Sequence, residues 1–154
     1  MIPVFIIFRS LHAIDTYVPL VLPAFFGSPF FIFLLRQFFR GIPESLSEAA
    51  RIDGCSEFGI FFRVIMPLSL PALVTVALFT FIGTWVDFMG PLIYLQSPEK
   101  FTLSLGLQQF QGTHSLEWGM LMAASTLMML PIVALFFVAQ KALIRGIVTS
   151  GLKG

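Results

Sequence analysis

The chain has 154 residues, of which 57% are hydrophobic, 15% aromatic and 11% charged, and its formal net charge is +1. Ordinary soluble domains carry roughly 25% charged residues, so this composition excludes a disordered chain and almost any soluble enzyme. The small net charge excludes a nucleic-acid binder with a basic face, because such a chain does not attract phosphate polymers.

A short apolar segment, residues 2–8, opens the chain before Arg9. A membrane helix needs about 20 mostly apolar residues, so this segment is too short to span a bilayer. It has no basic region ahead of it and no small-residue cleavage site after it, which makes it a poor signal peptide. We expect it to be the end of a longer helix in a chain that has lost its beginning. The alternative is a short interfacial segment.

Three charge-free windows are long enough to cross the membrane: residues 16–35, 64–86 and 118–140. The nineteen phenylalanines of the chain would not fit inside one small water-soluble core and need lipid or other helices around them. The sequence therefore predicts an all-α, polytopic membrane helix bundle with three complete spans and a partial one at the N-terminus.

Proline interrupts two of the predicted spans. Pro19, Pro23 and Pro29 lie in the first span together with Gly27, and Pro131 lies in the middle of the third. Such residues free backbone carbonyls that neighbouring helices or cavity water must satisfy, which suggests a bundle lining a pathway. Equally, proline is simply more frequent in membrane helices than in soluble ones.

The distribution of lysine and arginine predicts the orientation, since cytoplasmic loops carry the excess. Arg9 and Lys100 are alone on one side of the predicted membrane. Seven basic residues lie on the other side, in the loop between the first two spans and in the C-terminal tail: Arg36, Arg40, Arg51, Arg63, Lys141, Arg145 and Lys153. The sequence thus predicts that this loop and the C-terminus are cytoplasmic.

The loop between the first two spans reads as two short helices joined by a tight turn. Pro43 is suited to a first helical turn, where its missing N–H costs nothing. Residues 45–52 form a helix with Ala49 and Ala50, which have the highest helix propensity. Asp53-Gly54 ends this helix, because glycine tolerates the left-handed backbone, and a second helix begins near Ser56. Such a loop is either a docking surface for another protein or a solvated connector.

A spaced set of residues runs through this loop: Glu48-Ala49-Ala50, Gly54, Val64, Met66 and Pro67. The set resembles the EAA loop of the membrane subunits of ABC importers. That loop reads Glu-Ala-Ala, three residues, Gly, nine residues, Ile, one residue, Leu, Pro. Val64 and Met66 stand where the family pattern has Ile and Leu, and both keep its apolar character.

Further strings resemble the carbohydrate-uptake, maltose-type branch of that family: Asp53 before Gly54, PLSLP at 67–71, FIGTW at 81–85, DF at 87–88, PL at 91–92, QKALIRG at 140–146 and GLKG at 151–154. The resemblance covers essentially all of residues 1–154. Subunits of the family usually have six spans, and this chain is similar only to their C-terminal part, with the first two spans and most of the third missing.

The resemblance implies a subunit of a binding-protein-dependent sugar importer in a bacterial or archaeal cell membrane. It implies three partners besides membrane lipid: a second membrane subunit, a dimer of ATP-binding subunits and an extracytoplasmic sugar-binding protein. The chain itself has no Gly-x-x-x-x-Gly-Lys-Ser/Thr loop, so ATP hydrolysis is expected on a partner. No cofactor, catalytic residue or metal site is expected, and no nucleic acid.

The resemblance also assigns roles within the loop, which becomes a coupling helix–turn–helix. Glu48 and Asp53 would pair with groups in a cleft of the ATPase, and Ala49 and Ala50 would allow close approach. Gly54 would supply the turn. Pro67 completes the motif, and Lys153-Gly154 would reach the ATPase dimer.

Other polar residues allow only open alternatives. Trp85 could stack on a sugar or anchor the span at the interface, and Asp87 could contact the sugar or be a hydrated boundary carboxylate. Four residues of the outer loop could face the binding protein or form a plain polar loop: Gln108, Gln109, Gln111 and Thr113. His12 and His114 have no partner spaced for a metal site. The alternatives for function are the same machine with another cargo, such as glycerol phosphate or a polyol, and a membrane-embedded hydrolase.

Overall fold

The computed structural model describes residues 2–110 and 118–151, with side chains described at 2–108 and 118–140. All regular elements within these ranges are helical. The chain forms two compact units. The first comprises Met1–Gly27 with Phe81–Ala134, and the second comprises Ser28–Thr80 with Leu135–Gly154.

The first unit contains mostly short helices. They are α1 (Ile2–Ser10), α2 (Val18–Val21), a 3₁₀ helix (Leu22–Phe26), α8 (Met89–Tyr94), a 3₁₀ helix (Pro98–Lys100), α9 (Leu103–Gly106) and a 3₁₀ helix (Leu107–Phe110). Its small core forms where α1 meets α8. Phe8 lies edge-on to Tyr94 with ring centroids 5.8 Å apart, and Phe5 stacks on the same ring at 6.1 Å. Residues 2–8 therefore form part of a helix that packs through its aromatic side chains.

The first predicted span begins two residues later and extends further than expected. The candidate membrane stretch is Val18–Arg40, of 23 residues. The three prolines each lie at the beginning of a helical segment, in α2, in the 3₁₀ helix and in α3 (Pro29–Arg40), which is the position where proline is tolerated. The break falls at Gly27, whose φ of 72° and ψ of 162° no helix contains.

The second unit begins with α3 and continues with α4 (Glu44–Ile52), α5 (Glu57–Ile60), a π-helical turn (Phe61–Ile65), α6 (Met66–Leu68) and α7 (Leu70–Trp85), which runs on into the first unit. Its buried side chains include Ala50, Ile60, Ser69, Ala72 and Leu78. Except for the hydroxyl of Ser69, these buried side chains are apolar.

The second predicted span, residues 64–86, is not one straight helix. Glu57–Leu68 and Leu70–Trp85 meet at an angle of 69°. Ser69 lies fully buried at this bend, and its Oγ donates to the Ile65 carbonyl at 2.7 Å. Pro71 cannot donate a backbone hydrogen bond and disfavours helical geometry at the preceding residue, while a serine bonded back to residue i−4 bends a helix.

The third predicted span, residues 118–140, is a candidate membrane span and lies inside the longer helix α10 (Trp118–Gly151). Pro131 lies inside this helix. The described residues thus contain two helices long and apolar enough to cross a membrane, or three if the bent pair is one span.

Candidate functional site

The loop helix α4 ends in a Schellman motif, a pair of hydrogen bonds around a left-handed residue. Gly54 has a φ of +79°. Its N–H donates to the Arg51 carbonyl at 3.0 Å, and the Cys55 N–H donates to the Ala50 carbonyl at 3.0 Å. These bonds satisfy carbonyls that a helix end otherwise leaves unpaired. Gly54 therefore lies at the left-handed turn that ends α4.

The second helix of the loop starts at Glu57, where Ser56 acts as the N-cap. The Ser56 Oγ accepts a hydrogen bond from the Gly59 N–H at 3.3 Å, as serine does at helix starts. This helix continues through the π-turn to Leu68, longer than the short helix the sequence suggested. Pro43 was expected in the first turn of α4 but is its N-cap, with an extended ψ of 130°, and Glu44 begins the helix.

An ion pair joins the two sides of the turn. The Arg51 Nε lies 2.7 Å from Glu57 Oε1, and the second contact, from Nη2 to Oε2, is 3.3 Å. Because the pair has two contacts, it fixes the relative orientation of the guanidinium and the carboxylate as well as their distance. An exposed ion pair nevertheless contributes little to stability. Sequence reasoning missed this pair. The signal available was an arginine and a glutamate six positions apart on either side of the turn.

The predicted coupling residues differ in exposure. Glu48, Ala49 and Asp53 are exposed, whereas Ala50 is only 8% exposed. The Ala50 methyl therefore packs within this unit, and close approach to another protein through Ala50 stays a prediction. Pro67 lies exposed in α6, beyond the π-turn and close to the bend.

Two large apolar side chains flank the turn and were not singled out from the sequence. Ile52 is 87% exposed and Phe58 is 80% exposed. The surface beside Phe58 is concave, with a cavity of about 570 Å³ whose lining includes Asp53, Gly54 and Arg63. This end of the loop therefore presents apolar and charged groups together.

Trp85 and Asp87, the predicted path residues, have local partners in the first unit. The Trp85 Nε1–H donates to the Met128 carbonyl of α10 at 3.0 Å, and its ring stacks on Phe81 at 5.5 Å. Pro131 lacks an N–H for the Leu127 carbonyl, four residues earlier, and the Trp85 bond is made to the next carbonyl of the same helix, that of Met128.

Asp87 is exposed, and its carboxylate organises the turn that follows α7. The Asp87 Oδ1 accepts a hydrogen bond from the Gly90 N–H, in the first turn of helix α8, at 3.2 Å. The backbone carbonyl of Asp87 accepts a hydrogen bond from Ser104 Oγ at 2.6 Å. A Cβ at position 90 would lie only 2.5 Å from Asp87 Oδ2, so any larger residue there would require the Asp87 carboxylate to move.

Asp15 is the most heavily hydrogen-bonded side chain of the first unit, and sequence reasoning missed it. Its Oδ1 accepts from the N–H groups of Gln96 and Ser97, each at 2.9 Å. Its Oδ2 accepts from Ser97 Oγ at 2.5 Å and from Lys100 Nζ at 2.8 Å. Lys100 and Ser97 lower the pKa of the Asp15 carboxyl far below its ordinary value, because every one of these bonds favours the ionised form.

The backbone around Asp15 is also fixed by long-range bonds. Asp15 has a φ of +60°, its N–H donates to the Tyr94 carbonyl at 2.8 Å, and its own carbonyl accepts from Lys100 Nζ at 2.6 Å. Tyr17 adds a hydrogen bond from its hydroxyl to the Lys100 carbonyl at 3.1 Å. The structure therefore closes the connection between α1 and α2 onto the segment after α8.

Several of the remaining predicted residues lie outside the part of the chain that is described: the side chains of Gln109, Lys141 and Arg145, and all of Gln111, Thr113, His114 and Lys153-Gly154. Of the others, Gln108 is exposed, and His12 occupies the turn after α1 with a φ of 53°.

Comparison with known proteins places this geometry in a transport family. Residues 1–149 match the family model described as the binding-protein-dependent transport system inner membrane component. The family consists of transport permease subunits, so it gives no support to the alternative of a membrane-embedded hydrolase.

Characterised relatives agree in class. The arabinooligosaccharides transport system permease protein AraQ of Bacillus subtilis is 40% identical over 154 residues, covering 100% of this chain and 54% of the relative. The probable permease YurM of the same organism is 40% identical over 155 residues, with 52% of its length covered. The sulfoquinovosyl glycerol permease SmoH of Agrobacterium fabrum is 32% identical, with 54% covered. The chain thus spans about half the length of the curated relatives it matches.

A solved structure has the same fold. It is a bacterial ABC transporter involved in the import of the acidic polysaccharide alginate, with a TM-score of 0.76 and 28% sequence identity, covering 92% of this chain and 55% of that one. Sequence and fold therefore agree over nearly the whole chain. This protein belongs to the family of binding-protein-dependent transport system inner membrane components, the permease subunits of ABC transporters.

Proposed function

We propose that this chain is part of the membrane subunit of a sugar importer and is coupled to an ATPase through its loop of residues 43–71. One observation carries the proposal. The glycine of the spaced EAA motif is the left-handed residue of a Schellman turn, with a φ of +79°, which joins two helices. The motif residues thus form a compact helix–turn–helix, a shape suited to docking on another protein.

The loop is suited to transmit a rigid-body movement. Three sets of contacts restrain the turn: the Schellman bonds, the Ser56 cap and the Arg51–Glu57 ion pair. A partner that closes on ATP binding would therefore move α4 as a body rather than bend its end. Such coupling is a two-state change biased by a ligand on another subunit.

The surface of the loop indicates how an ATPase cleft would hold it. Glu48 and Asp53 offer charges, and Ala49 offers a small exposed surface. Ile52 and Phe58 are the large apolar side chains beside the turn. Buried aromatic and aliphatic anchors carry most of the affinity of protein interfaces, so we assign the strongest contacts to these two residues and the choice of partner to the two carboxylates.

Sugars are the cargo that the comparisons favour. The relatives are named for arabinooligosaccharides, for sulfoquinovosyl glycerol and for polygalacturonan or rhamnogalacturonan. We therefore propose a carbohydrate cargo over glycerol phosphate or a polyol. A second membrane subunit, an ATP-binding dimer and an extracytoplasmic binding protein would complete the importer.

The proposed orientation has the loop and the C-terminus in the cytoplasm. Seven basic residues against two support it. The Asp15–Lys100 contact supports the placement of these two segments on one common side of the membrane, and the count of basic residues assigns that side as the outer one.

Trp85 and Asp87 remain the candidate residues of the translocation path. The Trp85 N–H is used by α10, and one ring face stacks on Phe81, so a sugar could use only the opposite face. The Asp87 carboxylate is exposed and accepts one backbone hydrogen bond, which leaves lone pairs for sugar hydroxyls.

Disulfide crosslinking tests the docking. Cys55 is the one cysteine of the chain and directly follows Gly54. In membranes that hold the assembled importer, Cys55 should crosslink to cysteines placed around the cleft of the ATPase. A matched control carries Cys55→Ser with Gly106→Cys, where a Cβ meets nothing within 4 Å, and should give no crosslink. If no position around the cleft reacts with Cys55, docking through this loop is wrong.

A further inference from the structure

The last two turns of α3 carry a groove that combines an apolar wall with two guanidinium groups. It has a volume of about 590 Å³ and is lined by Ile32, Leu35, Arg36, Phe39 and Arg40. These positions follow the i, i+3, i+4, i+7, i+8 spacing of one helix face. The apolar residues and the arginines therefore form one continuous surface along the helix rather than separate faces.

The spacing along the helix matches the layers of a membrane. The two arginines are four residues apart, which is about 6 Å of helix rise. A bilayer has about 30 Å of hydrocarbon within a total of about 40–45 Å, so each headgroup layer is about 5–8 Å thick. When Leu35 lies at the edge of the hydrocarbon, Arg36 and Arg40 both fall within one headgroup layer. Ile32 then lies at the depth of acyl chains.

The charges of this groove are not neutralised within the described side chains. The ion pairs found there join Arg51 to Glu57 and Lys100 to Asp15. Glu44 lines a neighbouring cavity of about 420 Å³ together with Arg40, but it does not approach that guanidinium within ion-pair distance. The groove therefore offers two arginines to an anion that is not among the described side chains.

We propose that this groove binds one anionic diacyl phospholipid of the inner membrane, with its phosphate between Arg36 and Arg40 and an acyl chain along Ile32 and Leu35. Charge complementarity identifies the headgroup, since guanidinium groups recognise phosphate through paired hydrogen bonds. The apolar wall identifies the tail, because inorganic phosphate would leave it uncovered. A packed apolar helix from another subunit would cover the wall but leave both arginines without an anion.

The proposal needs only the membrane location of the family and not the importer function, so either can fail without the other. An arginine near an anionic membrane surface contributes about 1 kcal/mol. Two arginines thus predict about a 30-fold preference for phosphatidylglycerol over phosphatidylcholine.

Native mass spectrometry of the full chain, released from nanodiscs of equal phosphatidylglycerol and phosphatidylcholine, measures this preference directly. The wild type should retain phosphatidylglycerol, and Arg36→Gln/Arg40→Gln should retain the two lipids equally. The control Arg9→Gln/Arg51→Gln removes the same charge elsewhere and should keep the preference. Added inorganic phosphate at millimolar concentration should not displace the lipid.

Equal retention of both lipids by the wild type would overturn the proposal, as would an unchanged preference in Arg36→Gln/Arg40→Gln. Displacement by inorganic phosphate would assign the site to a free anion. If the glutamine variant does not fold, a photoreactive phosphatidylglycerol added to the wild type gives the answer. It should label the peptide that contains residues 29–40, and labelling confined to other peptides would exclude the groove. Coverage of this peptide by another subunit in the assembled importer, with no lipid label, would equally exclude it.

Discussion

The turn at Gly54 is the feature whose replacement should have the best-defined effect. We expect the turn to be weakened least by Gly54→Asn, more by Gly54→Ala and most by Gly54→Val. The φ of +79° is strained for any residue with a Cβ. Asparagine visits this region more readily than alanine, and β-branched valine least of all.

The magnitude follows from the geometry at this position. A Cβ added to Gly54 meets nothing within 4 Å, so the cost is backbone strain and not a clash. Left-handed backbone costs an L-residue about 1–2 kcal/mol, and the stiffer unfolded chain of alanine offsets about 0.4–1 kcal/mol of this. The net cost of Gly54→Ala is therefore about 1 kcal/mol, or about fivefold in the population of the folded turn.

Hydrogen–deuterium exchange at residues 53–55 measures this population. The Gly54 and Cys55 amides are protected by bonds to Arg51 and Ala50, so their protection should fall about fivefold in Gly54→Ala. Gly59→Ala is the matched control. Its φ is ordinary, its Cβ would make only a van der Waals contact at 3.4 Å with Ser56 Oγ, and alanine favours a helix over glycine.

The same variants test the coupling in the assembled importer. Gly54→Val should lower transport per ATP hydrolysed while membrane insertion stays normal, and Gly59→Ala should leave the ratio as in the wild type. Unchanged exchange in Gly54→Ala would refute the turn argument. Faster exchange with an unchanged transport ratio in Gly54→Val would refute the coupling argument alone.

Three further predictions concern single contacts. Ser56→Ala should destabilise the start of α5 by about 1 kcal/mol, seen as faster exchange at Gly59, and Ser56→Asp should restore it. The pKa of Asp15 is lowered in the folded state, so its stabilisation is present above the unfolded pKa of about 3.9 and lost as the pH falls below it. Thermal unfolding from pH 2 to 6 should show this loss of stability at the acid end in the wild type, and an equal loss in Asp15→Asn would contradict it. Trp85→Phe removes the hydrogen bond to Met128 and should lower the unfolding temperature more than Phe81→Leu lowers it.

The sequence by itself determined the class of the protein and the local structure of the loop. Apolar windows of membrane length follow from the order of residues along the chain, and the window at 118–140 lies within one long helix, α10. The end of α4 at Gly54 also follows locally, since only neighbours within a few residues take part in its bonds. The spaced motif identified the family for the same reason: it is short, ordered along the chain and independent of packing.

The tertiary structure alone decided which distant residues meet. Asp15 and Lys100 are 85 positions apart, and Trp85 and Met128 are 43 apart, so no periodicity or spacing connects them. Packing also decided which of two residues with the same local preference is buried. Ala50 is buried while its neighbour Ala49 is exposed, although their helix propensities are identical.

The bend at Ser69 depends on both the local sequence and the tertiary packing. The prolines around it are visible in the sequence, and they weaken the helix wherever they occur. The sequence predicted one span over residues 64–86, because hydropathy is continuous across the bend. The angle of 69° arises where a fully buried serine bonds the Ile65 carbonyl, and burial of a hydroxyl depends on what packs around it. Local chemistry set where the chain can break, and tertiary packing set where it does.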